Sequence, residues 1–317
     1  MDSVAKVTAT RALAGVPDPV TVRAPAKVNL ALAVGPVGDD GYHPVETVFQ
    51  ALSLYDELTA TAAEGLSVSV EGEGAGEVGP GEDNIAMRAA MLLAERTECD
   101  LGAHLQIRKA IPVAGGMAGG SADAAAALVA CDALWGTGLD RESLTEIAAE
   151  LGADIPFSLA GGTSLGVGRG DVLTPVLARG SYHWVLAIAH NGLRTPDVYA
   201  EFDRRGKAGT ATTEGVIAAL RSGDANALGK ALSNDLQESA VGLRPELGKV
   251  LRAGRDLGAV GAVVSGSGPT VALLARDSRS ATSLAAALAA EDVCRTVRTA
   301  HGPVAGVRLV DGADGPA

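Results

Sequence analysis

Short runs rich in β-branched and aliphatic residues recur along the first half of the chain, and glycine or proline separates them, a pattern typical of β-strands. Val20 to Val34 contains two such extended pieces, interrupted at Pro25 and followed by a turn through Gly35 and Pro36. Longer apolar segments with helical periodicity alternate with these runs. We predict the other elements of this half as strands at 45–54, 57–63, 66–71, 104–109 and 163–167 and helices at 84–96, 121–135 and 140–151.

A second block of elements begins near Asp171. There the same patterns predict strands at 183–189, 260–265, 270–275 and 305–310, several helices between 213 and 256, and a last helix at 278–290. A chain of 317 residues exceeds the usual size of one hydrophobic core. We therefore predict a mixed α+β fold with two domains, residues 1–171 and 172–317, and a cleft between them.

Composition and charge restrict the partners of this fold. Twenty-six basic and 38 acidic residues give a net charge of -12, which argues against non-specific nucleic-acid binding and against docking on an anionic membrane. No segment approaches the eighteen apolar residues of a membrane span. Cys99, Cys131 and Cys294 lack the short paired spacings of zinc sites and read as reduced thiols. We expect a cytoplasmic protein.

The segment Pro112 to Ala125 carries four glycines immediately before an alanine-rich helical stretch. Glycines let a large anion approach main-chain N–H groups, and the helix that opens near Ser121 offers unpaired donors and the positive end of its dipole. The segment matches neither a Walker A loop nor the glycine pattern of a dinucleotide-binding fold. It indicates a polyphosphate site, while a flexible turn before a core helix remains the alternative.

Two charged residues stand in otherwise apolar surroundings. Strand alternation places Lys27 and Asn29 on one face, with Val28, Leu30 and Leu32 on the other. A cation beside an amide can stabilise the charge that develops in phosphoryl transfer, although a surface lysine is the simpler interpretation. Asp154 follows a helix and precedes Pro156. It is either a helix or turn cap, or a general base that accepts a hydroxyl proton and is held by Lys27.

Two turns complete the set of candidate binding segments. Asp39 to Pro44 places Tyr42 beside His43, and such a pair can stack on and hydrogen-bond a nucleobase, or can merely cover the edge of the core. Residues 261–271 hold Ser265 to Pro269, a Ser-Gly-Ser-Gly-Pro run between two β-branched strands. This pattern predicts a tight hairpin whose backbone can approach a ligand closely.

Four of these segments, in this order, resemble the GHMP family of small-molecule kinases: Pro-Ala-Lys-Val-Asn-Leu at 25–30, the Gly115–Ser121 loop, Gly-Ala-Asp-Ile-Pro at 152–156, and Ser-Gly-Ser-Gly-Pro at 265–269. The resemblance covers nearly the whole chain. It implies two α+β domains, with ATP on the first, substrate between the two, and the second glycine hairpin closing over the site. It also implies an ATP- and Mg²⁺-dependent kinase.

Within that family, Asp40-Gly41-Tyr42-His43 is similar to the members that phosphorylate a cytidine-diphosphate-linked polyol at its 2-hydroxyl. The resemblance implies that Lys27 and Asp154 form the catalytic pair. Substrate binding is assigned to Asn29, Tyr42, His43, Thr195 and Tyr199. Nucleotide binding is assigned to Asn84, Pro112, Val113, Ala114, Gly115, Gly116, Met117, Ala118, Gly119, Gly120, Ser121, Ala122, Gly266, Ser267 and Gly268.

The glycine loop departs from the family pattern at two places. Met117-Ala118 stands where the family often has Leu-Gly, and Ala122-Asp123 where it often has Ser-Asn. Ser121 is therefore the only nearby hydroxyl for Mg²⁺ or phosphate. The Asp123 charge would repel a triphosphate unless its side chain turns away or faces the metal.

Two other functions remain open from the sequence. One is a different GHMP kinase, of the homoserine or mevalonate type, and the other is a nucleotide-binding regulator without catalysis. The presence of both Lys27 and Asp154 favours an enzyme. We expect a monomer or homodimer.

Overall fold

The computed structural model describes residues 17–39, 41–207 and 209–310, so Asp40 of the Tyr42-His43 turn lies outside the described part. In chain order the elements are β1 (Val20–Val34), β2 (Val45–Ala63), β3 (Ser67–Gly72), α1 (Ile85–Thr97), β4 (Gly102–Lys109), α2 (Gly119–Trp135), α3 (Arg141–Leu151), α4 (Ile155–Ala160), β5 (Thr163–Gly168), β6 (Val172–Pro175), β7 (Tyr182–Ile188), α5 (Thr195–Arg205), α6 (Glu214–Ser222), α7 (Ala225–Ala231), β8 (Ser233–Asn234), α8 (Gln237–Leu243), α9 (Pro245–Asp256), β9 (Gly261–Val264), β10 (Val271–Ala275), α10 (Ser278–Ala290), β11 (Thr296–Gly302) and β12 (Arg308–Leu309).

The larger sheet is built around two long antiparallel strands, β1 and β2, and it includes β3, β4, β5, β6, β8 and β12. The predicted break at Pro25 is wrong, because a register shift between Pro25 and Ala26 lets β1 continue past the proline. The predicted strands 45–54 and 57–63 are likewise one strand, β2. Proline and polar residues in these segments bend or bulge the strands without ending them.

Helix α2 packs across this sheet and is almost entirely buried. Its run of alanines, Ala124 to Ala127, lies in the main core with Leu105 and Ile107 of β4. Alanine favours the helix and takes little volume, so backbone elements can approach closely where aromatic residues are scarce. The helix thereby holds the glycine loop against the sheet.

A second, four-stranded antiparallel sheet has the strand order β11-β7-β10-β9. Apolar side chains of β9 and β10 pack against α8, α9 and α10 in a separate core. Helix α10 has the predicted bounds 278–290, and Asp277 and Ser280 form a capping box at its start.

The structure corrects the predicted end of the chain. Within 305–310 only Arg308 and Leu309 pair in a strand, β12, with β1. The last full strand is β11, which the sequence analysis did not predict because it is an edge strand with mostly polar, exposed side chains. Helices α4 and α5 and strand β6 were also not predicted.

Strands from the second half of the chain complete the larger sheet. β8 pairs with β1 at Ala31 and Leu32, and β12 pairs with β1 at Val22 and Arg23. The chain thus returns to its first sheet twice, with β8 between β7 and β9 of the second sheet and with β12 after β11. The boundary at 171/172 stays a prediction.

Candidate active site

A cavity of about 510 Å³ opens where β1, the glycine loop, the start of α4 and the 265–270 loop meet. Most of the predicted site residues line it. These are Lys27, Asn29, Asn84, Pro112, Val113, Ala114, Gly115, Gly116, Ala118, Gly119, Gly120, Ser121, Asp154, Thr195, Tyr199, Gly266 and Ser267.

Lys27 and Asn29 extend from β1 into this cavity and are buried. The Lys27 Nζ donates to Asn29 Oδ1 at 2.6 Å, and Asn29 Nδ2 donates to the Thr47 hydroxyl at 2.8 Å. Thr47 in turn donates to the Ala31 carbonyl at 2.7 Å. The ammonium also lies 5.3 Å from the centre of the Phe49 ring, within cation–π range. The Lys27 ammonium is therefore held in position through Asn29 and Thr47.

The side chains of Lys27, Asn29, Val28 and Leu30 lie on the predicted faces of β1. The predicted face of Leu32 is wrong. A second register shift, between Asn29 and Ala31, inverts the alternation beyond Leu30. Leu32 consequently lines the cavity and packs with the second core, while Val28 and Leu30 lie in the main core.

Asp154 immediately precedes α4, the position of a helix cap, yet its side chain makes no capping hydrogen bond. Its Oδ2 lies 3.6 Å from Lys27 Nζ, and about one third of the side chain is exposed. Because the carboxylate faces the lysine and the cavity, the geometry supports the acid–base interpretation over the cap.

The glycine loop reaches α2 through backbone conformations that side chains rarely adopt. Ala114, Gly116 and Ala118 all have positive φ, and α2 begins at Gly119, before the predicted opening near Ser121. A Cβ on Gly116 would lie 2.4 Å from the Ser265 carbonyl oxygen. Gly116 is thus required for contact between the two glycine loops, whereas Gly120 faces the cavity.

Met117, Ala122 and Gly268 were predicted to bind nucleotide but do not line the cavity. The Met117 and Ala122 side chains are buried in the main core. The N–H groups of Ala122 and Gly268 donate to the carbonyls of Ala118 and Ser265, at 2.9 and 2.8 Å. The N–H groups of Ala122 and Gly268 are therefore already hydrogen-bonded within their own turns.

The 265–270 segment connects β9 and β10 as predicted, but it is longer than a tight two-residue turn. Ser265 Oγ donates to the Gly116 carbonyl at 2.9 Å, and Thr270 N donates to the Gly115 carbonyl at 3.2 Å. The Ser267 hydroxyl lies 2.8 Å from that of Thr195 at the start of α5. The segment thus closes one side of the cavity.

Asn84 has two structural roles and also lines the cavity. Its Oδ1 accepts from Ala86 N at 2.9 Å and so caps α1, and its Nδ2 donates to the Gly79 carbonyl at 3.0 Å. Asn84 is therefore a helix cap as well as a cavity residue.

The sequence analysis missed a buried ion triad at the wall of the cavity. Lys109 Nζ lies 2.6 Å from Asp56 Oδ2 and 2.5 Å from Asp123 Oδ2. Lys109 and Asp123 line the cavity, and Asp56 Oδ1 also accepts from the N–H groups of Ala110 and Ile111, at 2.6 and 2.8 Å. The available signal was a carboxylate and a lysine within apolar strand segments, which need partners when buried.

Burial raises the pKa of Asp123 to about 8, against the opposing effect of Lys109. The pKa of Lys109 is also raised, because the two carboxylates outweigh the effect of burial. One ammonium thus faces two carboxyl groups, of which Asp56 also accepts two backbone N–H bonds.

A second cavity, of about 610 Å³, adjoins the first. Tyr42 and His43 line it, as predicted for a nucleobase pocket, and five residues line both cavities. The shared residues are Val45, Ala153, Arg169, Thr195 and Tyr199. A molecule in the second cavity can therefore extend into the first.

Aromatic rings and a carboxylate fix His43. Its Nδ1 lies 2.8 Å from the Gly35 carbonyl and its Nε2 lies 3.2 Å from Asp203, while the Tyr199 ring centre is 5.3 Å away at a tilt of 32°. Phe202 contacts the imidazole edge-on. Burial raises the pKa of Tyr199 to about 12, and the nearby Asp154 adds to the effect. Tyr199 thus stays neutral at physiological pH.

Two searches of the described residues bear on metals and membranes. Within 17–39, 41–207 and 209–310, no group of three or more His, Cys, Asp or Glu side chains is placed to hold a metal ion. In the same residues, no helix has the length and apolar character of a transmembrane segment.

Family models match both halves of the chain. The model described as "GHMP kinases N terminal domain" matches residues 84–162, and "GHMP kinases C terminal" matches residues 216–293. The first includes the glycine loop and Asp154. The chain belongs to the GHMP kinase family of ATP-dependent small-molecule kinases. Relatives named 4-diphosphocytidyl-2-C-methyl-D-erythritol kinase match nearly its whole length.

Proteins with that name from Salinispora tropica and Thermobifida fusca are both 55% identical to this chain, over 301 and 304 residues. Each alignment covers 93% of this chain, and 96% and 99% of the two relatives. A crystal structure of 4-(cytidine 5'-diphospho)-2C-methyl-D-erythritol kinase aligns with a TM-score of 0.73 at 32% identity, over 92% of this chain and all of the other. Homoserine kinase from Cytophaga hutchinsonii has the same TM-score at 18% identity, over 92% of this chain and 98% of that one, which shows a common fold alone.

Proposed function

We propose that the protein transfers the γ-phosphoryl group of ATP to the 2-hydroxyl of 4-diphosphocytidyl-2-C-methyl-D-erythritol, a step in isoprenoid precursor synthesis. The observation that carries the proposal is the pair of adjoining cavities with five shared lining residues. One contains the glycine loop and the Lys27–Asp154 pair, and the other contains Tyr42 and His43. A cytidine diphosphate in the second cavity places its polyol in the first.

In this reaction the substrate hydroxyl oxygen forms a bond to the γ-phosphorus while the bond from the γ-phosphorus to the bridging oxygen breaks, releasing ADP. Asp154 accepts the hydroxyl proton. Lys27 holds both that oxygen and the carboxylate, and its bond to Asn29 at 2.6 Å fixes the ammonium. Positioning and charge stabilisation supply most of the catalysis, so no covalent enzyme intermediate is needed.

The proposed nucleotide site is the glycine-loop side of the first cavity. There α2 begins at Gly119 with Gly120 and Ser121 facing the open space, and a helix start binds phosphate through free N–H groups. Asn84 and the 266–267 segment lie on the same cavity wall. Mg²⁺ bound with ATP neutralises charge on the phosphates, and the half-buried Ser121 is its predicted hydroxyl contact.

The proposed cytidine site is the second cavity. Tyr42 and Tyr199 provide aromatic faces for the base. His43 is held at Nδ1 by the Gly35 carbonyl and bonds the cytosine edge through Nε2, which exchanges its contact with the exposed Asp203 for the base. Thr195 stands at the passage between the two cavities. Asn29 lies beside Lys27 and contacts the accepting end of the substrate.

The test is ATP consumption by the purified protein with Mg²⁺ and one acceptor at a time. The acceptors are 4-diphosphocytidyl-2-C-methyl-D-erythritol, homoserine and mevalonate. Turnover with the cytidine compound alone supports the proposal. Turnover only with homoserine or mevalonate would keep the family and overturn the substrate, and ATP binding without any turnover would favour a regulator.

Compartment and assembly stay predictions. The sequence predicts a cytoplasmic protein, monomeric or homodimeric, and size-exclusion chromatography with light scattering would distinguish the two assemblies.

A further inference from the structure

Asp123 has a carboxylate oxygen that lacks a partner within the protein. The residue is only 3% exposed, and its Oδ2 accepts from Lys109 at 2.5 Å. Its Oδ1 is buried and has no hydrogen-bond partner among the described residues. A buried carboxylate oxygen without a donor is unfavourable, so such an atom at a cavity wall indicates that a ligand completes it.

The position of Asp123 limits what that ligand is. It lines the cavity one helical turn into α2, after Gly119, Gly120 and Ser121. Asp56, the other carboxylate on Lys109, provides an internal comparison. It does not line the cavity, and both of its oxygens are satisfied, one by Lys109 and the other by two backbone N–H groups. Only the carboxylate that faces the proposed nucleotide site is incomplete.

Charge indicates a cation. One ammonium faces two carboxyl groups in the triad, so with both carboxyls ionised the triad is net negative and repels a polyphosphate that arrives without a counterion. A divalent cation at Asp123 Oδ1 takes the place of the proton that the metal-free carboxyl retains. Mg²⁺ prefers oxygen ligands and is usually held by one or two carboxylates together with substrate phosphates.

We propose that Asp123 Oδ1 is a protein ligand of the divalent cation that accompanies ATP, and that Lys109 is a positioning residue that holds the second oxygen of the same carboxylate. This assignment rests on the proposed kinase function. It adds a charged ligand to the predicted Ser121 contact at a position where the family often has an amide.

The test measures metal-linked nucleotide binding without turnover. The affinity for a non-hydrolysable ATP analogue is determined by calorimetry with Mn²⁺ and again with EDTA. The ratio of the affinity with Mn²⁺ to the affinity with EDTA reports the metal contribution. Asp123→Asn keeps an oxygen for Lys109 but removes the charged ligand. We expect the ratio to fall at least about tenfold, since lost outer-shell partners of metal ligands already cost 10- to 100-fold. With EDTA, the affinity of Asp123→Asn for the ATP analogue is expected to equal or exceed that of the wild type.

Asp56→Asn is the matched control, because it removes the same charge from Lys109 without touching the cavity. Its ratio is expected to equal that of the wild type. Asp123→Cys provides a second readout: a thiolate favours Cd²⁺ over Mg²⁺, so the metal preference of nucleotide binding shifts toward Cd²⁺. This gain does not depend on how stable the Asn variant is.

Two results would overturn the assignment: an unchanged ratio in Asp123→Asn together with an unchanged metal preference in Asp123→Cys, or an equal loss in Asp56→Asn. A wild-type protein that binds no nucleotide, with or without metal, would instead contradict the proposed function itself. The electron paramagnetic resonance spectrum of bound Mn²⁺ is expected to differ between the wild type and Asp123→Asn, which a purely structural role of Asp123 would not produce.

Discussion

Two buried lysines line the same cavity but are held in different ways. Lys109 lies between two carboxylates at 2.5 and 2.6 Å, and all three side chains are at most 5% exposed. Lys27 makes its short bond to an amide, Asn29, and its carboxylate partner Asp154 is 3.6 Å away and 34% exposed. The ammonium of Lys109 is enclosed by its two carboxylate partners, whereas that of Lys27 remains open to a substrate.

The difference follows from where the partners come from. Asp56 on β2 and Asp123 on α2 converge on Lys109 because the helix packs directly on the sheet. Asp154 belongs to the turn before α4, at the edge of the cavity. A proton acceptor such as Asp154 needs open space beside it for the substrate. Lys109 holds the cavity wall together and needs no such space. The comparison teaches that burial of a lysine alone does not identify the catalytic one.

The largest expected effect is on the open pair. Asp154→Asn keeps the size of the side chain but removes the proton acceptor, so kcat is expected to fall about 10²- to 10⁴-fold, measured by coupled ADP release. ATP affinity is expected to change little. Near-normal turnover would remove Asp154 from the mechanism and reduce it to an orienting charge.

The next largest effect is on stability, and it distinguishes the role of Lys109 from that of Lys27. Lys109→Met leaves two buried carboxyl groups without their cation, and we expect the free energy of unfolding to fall by about 3–5 kcal/mol in urea titrations. Lys27→Met is the control. Its partner Asp154 stays hydrated, so the expected loss is smaller, about 1–3 kcal/mol, from the buried Asn29 oxygen that loses its donor. Equal losses in both variants would contradict the distinction between closed and open pairs.

A smaller, pH-dependent effect is expected from Asp123 in the metal-free protein. Its folded pKa of about 8 lies above the value of roughly 3.9 for an unfolded Asp, so folding retains a proton between those limits. The free energy of unfolding of the wild type should therefore decrease, relative to Asp123→Asn, as pH rises from about 4 to about 8, and then level off. Urea unfolding of both proteins at several pH values in EDTA measures this. A difference independent of pH would show that Asp123 is ionised throughout.

The smallest effect extends the comparison to an exposed pair. Asp203 is 54% exposed and contacts His43 Nε2 at 3.2 Å. Because such pairs contribute about 0.2–1 kcal/mol, Asp203→Asn is expected to raise KM for the cytidine substrate about two- to fivefold with little change in kcat. Asp197→Asn on the same helix, exposed and outside both cavities, serves as the control. A large fall in kcat would give Asp203 a different role.

Much of the site follows from local sequence signals. The facing of Lys27 and Asn29 follows from strand alternation, and helix α10 from its apolar spacing and cap. Backbone freedom at Gly116 and a helix start at the end of the glycine loop, predicted near Ser121 and found at Gly119, are likewise local consequences of a glycine-rich loop. These features depend on neighbours within one or two turns of chain, which the sequence specifies.

Only the tertiary structure decided the features that join distant segments. Asp56, Lys109 and Asp123 lie on three separate elements, and no spacing rule brings them together. The bulge that turns Leu32 into the cavity arises from the pairing of β1 with β2, because register belongs to two strands and not to one. His43 meets Asp203 across 160 residues of chain. The sequence determined which residue types carry chemistry, and packing between elements determined which of them are closed partners and which face a ligand.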